Sequence, residues 1–220
     1  MKISMAVAGL LFTFYVLMHM YGNLKLFSGQ AAFDGYAHHL RILGEPILPY
    51  SGFLWLFRIL LLVALAVHVG AGMHLWAKAN KARSTRYQVK RAVAATASSK
   101  AMRFGGVALF LFLIWHLLQF TIIKFNVNGD YSEAALGHSP YKLVVASFQE
   151  WWVVLIYLVA VICLALHLHH GVWSAGQTLG LTSTASARRL WKLAGLVLAL
   201  VVGIGFILPP LGVLFGVIKF

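Results

Sequence analysis

The sequence predicts an all-α, polytopic membrane protein: a bundle of five transmembrane helices forming one domain over residues 1–220. Three observations predict it. Of the 220 residues, 61% are hydrophobic, more apolar surface than a globule of this length can hide from water. Only 10% are charged, against roughly 25% in an ordinary soluble domain. The apolar residues also fall in five runs of the length a bilayer requires, about 20 residues each. Disorder is excluded, because it needs low hydrophobicity. The net charge of +13 would suit a nucleic-acid binder, but the uninterrupted apolar runs do not. The lone Cys163 excludes a disulfide framework, a Cys-ligated zinc site and a self-contained iron–sulfur cluster.

The first run covers about residues 3–26. It opens Met-Lys like a secretory signal, but its apolar part is too long and no small-x-small site follows, so it reads as a retained helix. The second covers about 52–77, with Trp55 and Trp76 near its ends, and the third about 104–125. The fourth covers about 151–175, opens on Trp151-Trp152 and contains Cys163, which reads as a small core hydrophobe. The fifth covers about 191–217 and opens on Trp191; Pro209-Pro210 is expected to kink or end it. Tryptophans at these places suit interfacial anchors. The runs lack the two-residue alternation of membrane β-strands, and backbone groups in hydrocarbon must pair internally, so each run is read as a helix.

Charge sets the expected topology. Residues 78–103 hold Lys78, Lys81, Arg83, Arg86, Lys90, Arg91, Lys100 and Arg103 and no acid; Arg188, Arg189 and Lys192 flank the start of the fifth helix. With Lys2, one side collects twelve cations and no carboxylate. The other side has Lys25, Arg41, Arg58, Lys124, Lys142 and Lys219 with all five acids, Asp34, Glu45, Asp130, Glu133 and Glu150. The positive-inside rule puts the N-terminus and the 78–103 loop in the cytoplasm and the C-terminus outside. The basic loop is read two ways, as attraction to anionic lipid or as a dock for an acidic soluble partner.

Ten histidines are many for this chain, and intramembrane ionisable groups are functional hypotheses by default. His19, His68, His116 and His167 fall one each in the first four runs. At the helical rise, His19 lies ~24 Å, His116 ~18 Å, His68 ~14 Å and His167 ~12 Å from the cytoplasmic helix ends. Two matched depths are what two six-coordinate haems stacked across a bilayer require, each iron taking two axial imidazoles from facing helices. Depth pairs His19 with His116 for the outer haem iron and His68 with His167 for the inner one. Gly72 and Gly171, at i+4 from His68 and His167, leave room for a flat macrocycle. For any single histidine the bland alternative is an interhelical hydrogen bond. On the fourth helix His169 points away from its neighbours, and His170 competes with His167 as the fourth ligand. His74 and His170, one turn nearer the cytoplasm, read as partners of haem propionates or of a quinone, or as ordinary interfacial histidines.

Several segments together resemble a known family. They are His19-Met20-Tyr21-Gly22-Asn23-Leu24, Tyr36-Ala37, Leu48-Pro49-Tyr50, Leu54-Trp55 with Arg58, Phe112-Leu113-Ile114-Trp115-His116, and His167-Leu168-His169-His170-Gly171-Val172-Trp173-Ser174 followed by Gln177-Thr178-Leu179-Gly180. Over nearly its whole length the chain resembles the cytochrome b subunit of succinate dehydrogenase, the b558-type single-chain dihaem anchor of bacteria. The resemblance implies two haem b groups on His19, His68, His116 and His167. It implies flavoprotein and iron–sulfur partner subunits beside the basic loop, location in the bacterial cytoplasmic membrane, and electron transfer from succinate to a quinone, typically menaquinone. Some relatives run the reverse reaction as fumarate reductases. Glu45 is a candidate for a quinone site near the outer haem, and Arg41 or Arg58 for an outer propionate; loop polarity is the bland reading of all three. Some dihaem relatives carry an acid near the fourth-helix ligand, whereas here Ala165 and Leu166 precede His167, so no proton route through the helices is evident.

Closed bis-imidazole ligation suits electron transfer rather than oxygen binding. With no dinucleotide fingerprint and no cysteine cluster, succinate chemistry is expected on another chain. Two rival readings are an anchor for a hydrogenase or formate dehydrogenase and, from a different class, a small histidine-relay transporter.

Overall fold

In the computed structural model, residues 1–81 and 97–220 are described, and they are helical with no strand among them. The helices are α1 (Lys2–Leu24), α2 (Gln30–Ile42), α3 (Gly52–Lys81), α4 (Ala97–Leu117), α5 (Glu133–Leu136), α6 (Pro140–Gln149), α7 (Trp151–Thr178) and α8 (Ala185–Leu214). Five of them, α1, α3, α4, α7 and α8, are long and apolar enough to cross a membrane.

On the basic side the helices outrun the apolar stretches that predicted them. α3 continues to Lys81 rather than 77, α4 begins at Ala97 rather than 104, α7 continues to Thr178 rather than 175, and α8 begins at Ala185 rather than 191. Hydropathy marks the hydrocarbon boundary, but intrahelical hydrogen bonds do not stop there. What stops them is local chemistry. The Thr184 hydroxyl accepts from Ala187 N at 3.1 Å and starts α8. Gly180, at φ +75°, follows the end of α7. Arg83, Arg86, Lys90 and Arg91 of the basic loop, and the docking expected of it, lie outside the described residues. Among the described cations, Arg103 sits over the Trp76 ring and Lys192 over Trp173.

On the opposite side the predicted ends come in. α1 gives way to a 3₁₀ turn, Lys25–Ser28, and α4 to a π turn, Leu118–Ile122. Of the two outcomes expected of Pro209-Pro210, a kink or an end, the second is corrected: both prolines are buried inside α8, which runs on to Leu214. Proline removes one donor each, and neighbouring helices tolerate that loss within a packed bundle.

α7 is the centre of the bundle. It packs on α8, α4 and α1, while α1 also packs on α3 and α8. The α7–α8 seam is built from small residues, which let backbones approach. A Cβ at Gly195 would stand 2.7 Å from the His169 carbonyl, and one at Gly176 would enter the Trp191 ring. Among the described residues α1 does not pack closely on α4, nor α3 on α7.

The long connections opposite the basic side, read from sequence only as loops, fold into a cap. α2 lies back on α1, where Gly22 makes room for Tyr36. Asp34 of α2 accepts from Ser139 Oγ (2.6 Å) and from Tyr141 N (3.0 Å), holding the start of α6. Tyr141 donates to the Lys219 carbonyl at 2.7 Å, tying the cap to the end of the chain. Burial, and then the Asp34 carboxylate, push the Tyr141 phenol above its ordinary value.

Candidate functional site

The structure brings four of the sequence-selected histidines together in twos. The His19 and His116 ring centroids are 5.7 Å apart, and those of His68 and His167 are 6.0 Å apart. These are the partners that depth along the helices assigns. Each pair spans helices that do not pack closely on each other: α1 faces α4 across the first, α3 faces α7 across the second. His19 and His116 lie close to the ends of α1 and α4 away from the basic side, whereas His68 and His167 lie well inside α3 and α7.

Helix packing fixes where each ring stands. His68 is held by α1. Its Nδ1–H donates to the Met5 carbonyl at 3.1 Å. The approach depends on Gly9, because a Cβ there would stand 3.2 Å from His68 Cε1. A carbonyl only accepts, so Nδ1 carries the proton and Nε2 keeps its lone pair. His116 is held by α7, its Nδ1 3.1 Å from the Tyr157 hydroxyl, which donates to Gln119 Oε1 at 3.0 Å. Tyr15 stacks on His19 and Phe112 on His116, while the His19 carbonyl accepts from Asn23 Nδ2 at 2.8 Å. His167 Nδ1 is buried without a partner.

Two facing imidazoles are the number of protein donors that a haem iron takes. Among the described residues no three His, Cys, Asp or Glu side chains converge. Two imidazoles are too few for a structural zinc, which takes four ligands, but they complete an iron whose macrocycle fills the other positions. With an imidazole nitrogen of each ring about 2 Å from a shared metal, the ring centroids would stand roughly 6 Å apart. In each pair one histidine is already in the tautomer a ligand needs, with Nδ1–H bonded and Nε2 free. Beside the second pair, Gly72 and Gly171 face open space, with nothing within 4 Å of where a Cβ would stand. The residues present therefore fit haem.

The other sequence-selected residues are not members of the two pairs. His74 is exposed and His170 half-buried, and it is His167 rather than His170 that meets His68. Glu45 is exposed in the turn between α2 and α3. Arg41 donates to the Ala37 carbonyl of its own helix, and Arg58 lies over the Trp55 ring at 5.0 Å. Those two arrangements occupy the guanidinium groups locally.

Sequence reasoning missed Tyr157, Gln119 and Gly9. The first two carried a signal, since Gln119 is the single amide of its apolar run and Tyr157 the single phenol of α7. Gly9 carried none, because its importance lies in the neighbour it admits. No family model, curated protein or solved structure matches the chain.

Proposed function

We propose that this chain is the dihaem cytochrome b membrane anchor of a succinate:menaquinone oxidoreductase, with His19 and His116 holding one haem b and His68 and His167 the other. The observation that supports it most is the pair of facing histidine sets, each bridging two helices that do not pack closely together. An interhelical hydrogen bond would account for one contact between rings. It would not account for two sets at matched depths, each with a fixed Nδ1–H and a free Nε2.

The chain's own work is positional. Met5 and Gly9 orient His68; Tyr157 orients His116; α8 backs the helix that carries His167. When bound, the two haems supply one-electron carriers with closed coordination, tuned by burial and by hydrogen bonds to their ligands. Water is kept out by the aromatic side chains around His19 and His116 and by the bilayer. The basic side faces the cytoplasm in this reading, where flavoprotein and iron–sulfur subunits dock and electrons from succinate enter, and a quinone is the acceptor in the membrane.

A reduced-minus-oxidised spectrum of the purified chain tests the haem assignment, with two low-spin b-type haems per chain expected. A chain purified from its own membrane without haem overturns it. Co-purification then tests the partner assignment. A flavin-bearing subunit and an iron–sulfur subunit support succinate oxidation, whereas a metal–sulfur catalytic subunit would replace it with a hydrogenase or formate dehydrogenase.

A further inference from the structure

The Tyr157–Gln119 arrangement beside His116 is not explained by packing. Gln119 is fully buried, at 0% exposure, and its Nε2 has no partner. A buried donor left unsatisfied costs about 1–3 kcal/mol, so a hydrocarbon side chain would serve packing better. The other end of the amide is engaged, with Oε1 accepting from the Tyr157 hydroxyl at 3.0 Å. Gln119 lies in the π turn Leu118–Ile122 that directly follows His116 and Leu117. Such turns insert an extra residue and re-aim the side chains beyond it, frequently at functional sites.

Proton counting gives this chain of contacts a direction. A phenol has one proton, and Gln119 Oε1 can only accept. Tyr157 therefore donates to Gln119, and its oxygen accepts the Nδ1–H of His116 at 3.1 Å. His116 Nε2 is left as the lone-pair nitrogen. The two bonds run in series, and each polarises the other. A partner that draws on Nδ1–H raises the basicity of the opposite nitrogen.

We propose that Tyr157, held by Gln119, is the positioning residue of the His19–His116 site: it fixes the His116 tautomer and makes His116 Nε2 the stronger electron donor to a bound iron. This rests on the dihaem reading. A more basic ligand favours the ferric state, so the bond lowers the reduction potential of this site relative to a site without it. The role is confined to one site, because His68 uses a backbone carbonyl instead.

The test is a redox titration of the full-length chain, followed by haem absorbance and low-temperature electron spin resonance. Wild type is expected to show two haems with two separable components. Tyr157→Phe keeps both haems and moves one midpoint potential upward, with a changed low-spin signal for that component alone. Gln119→Leu moves the same component in the same direction by less, since Tyr157 still accepts from His116 but has lost its own acceptor. Two retained haems with neither component moved, or with both moved alike, overturn the proposal and leave the dihaem reading standing. If Tyr157→Phe does not hold haem, Gln119→Leu decides by the same criterion. A wild-type chain with no haem overturns the dihaem reading. The nitrogen-15 spectrum of the histidine-labelled chain then decides the tautomer alone: Nδ1–H at His116 in wild type, lost in Tyr157→Phe, supports the positioning role, and Nε2–H in wild type overturns it.

Discussion

Around His19 and His116 stand Tyr15, Phe112, Phe120, Tyr157 and Phe206, with ring centroids 5.5 to 6.0 Å from one histidine or the other. Around His68 and His167 the one aromatic neighbour of this kind is Phe12, at 6.2 Å among the described residues, and glycines take the place of rings. Gly9 and Gly106 come against His68 and His167 themselves, while Gly72 and Gly171 face open space. The first pair is oriented by a side-chain network and the second by a helix carbonyl reached across a glycine. Both devices solve one problem, which is to hold an imidazole by one nitrogen in an apolar medium while leaving the other nitrogen free. Either partner draws on Nδ1–H and so raises the basicity of Nε2; the difference is that Tyr157 is itself held by a third side chain, Gln119, at 3.0 Å, whereas the Met5 carbonyl is held by its helix and reached across Gly9.

The largest expected effect separates the pairs outright. His116→Ala should remove one of two haem components from the difference spectrum and His68→Ala the other. Loss of both from either variant would mean that the pairs are not independent sites. Next in size is Gly171→Leu. A Cβ at Gly171 meets nothing within 4 Å, so helical content and detergent-extracted yield should hold while the His68–His167 haem is lost; retention of that haem would show the space is not used. Gly9→Val should weaken the same site by about 10–100-fold in cofactor affinity, the usual cost of disturbing a group that orients a metal ligand, and leave the His19–His116 component in place. Equilibrium loss of haem to an acceptor protein measures it.

The smallest effect belongs to the cap. Tyr141→Phe removes the bond to the Lys219 carbonyl and should cost about 1 kcal/mol, read as a lower melting temperature at pH 8. The phenol's pKa is raised on folding above its ordinary 10.0. Its protonated form therefore stabilises the fold below pH 10, and that contribution is lost as pH rises toward the raised value. Wild type should lose stability above about pH 10 more steeply than Tyr141→Phe; parallel alkaline curves would show that Tyr141 does not titrate with unfolding.

How much of this was legible in the sequence depends on the kind of signal. The five long helices were readable because hydrocarbon imposes length and apolarity. Their ends were misjudged on the basic side because the Thr184 cap and Gly180, not hydropathy, decide where hydrogen bonding stops. The histidine partners were readable from depth, which is a one-dimensional quantity. Asp34, Ser139 and Tyr141 were not readable as a cap, since that contact joins residues more than a hundred positions apart. Gly9 was hidden because what matters there is the neighbour it admits, His68 of another helix, and Tyr157 and Gln119 were hidden for another reason. Reading outward from the histidines overlooked the isolated polar groups of the apolar runs, although burial makes such groups seek partners.

The central place of α7 bears on how the molecule comes into being. α4 and α1, which carry the first histidine pair, both pack on α7 and not closely on each other. During synthesis His19 and His116 leave the ribosome before α7, and among the described residues α7 is the long helix on which both of their helices pack. The same helix brings His167 to His68. Neither histidine pair can close on an early fragment of the chain; both close with one late insertion, so under the dihaem proposal truncated chains lacking α7 are expected to take up no cofactor.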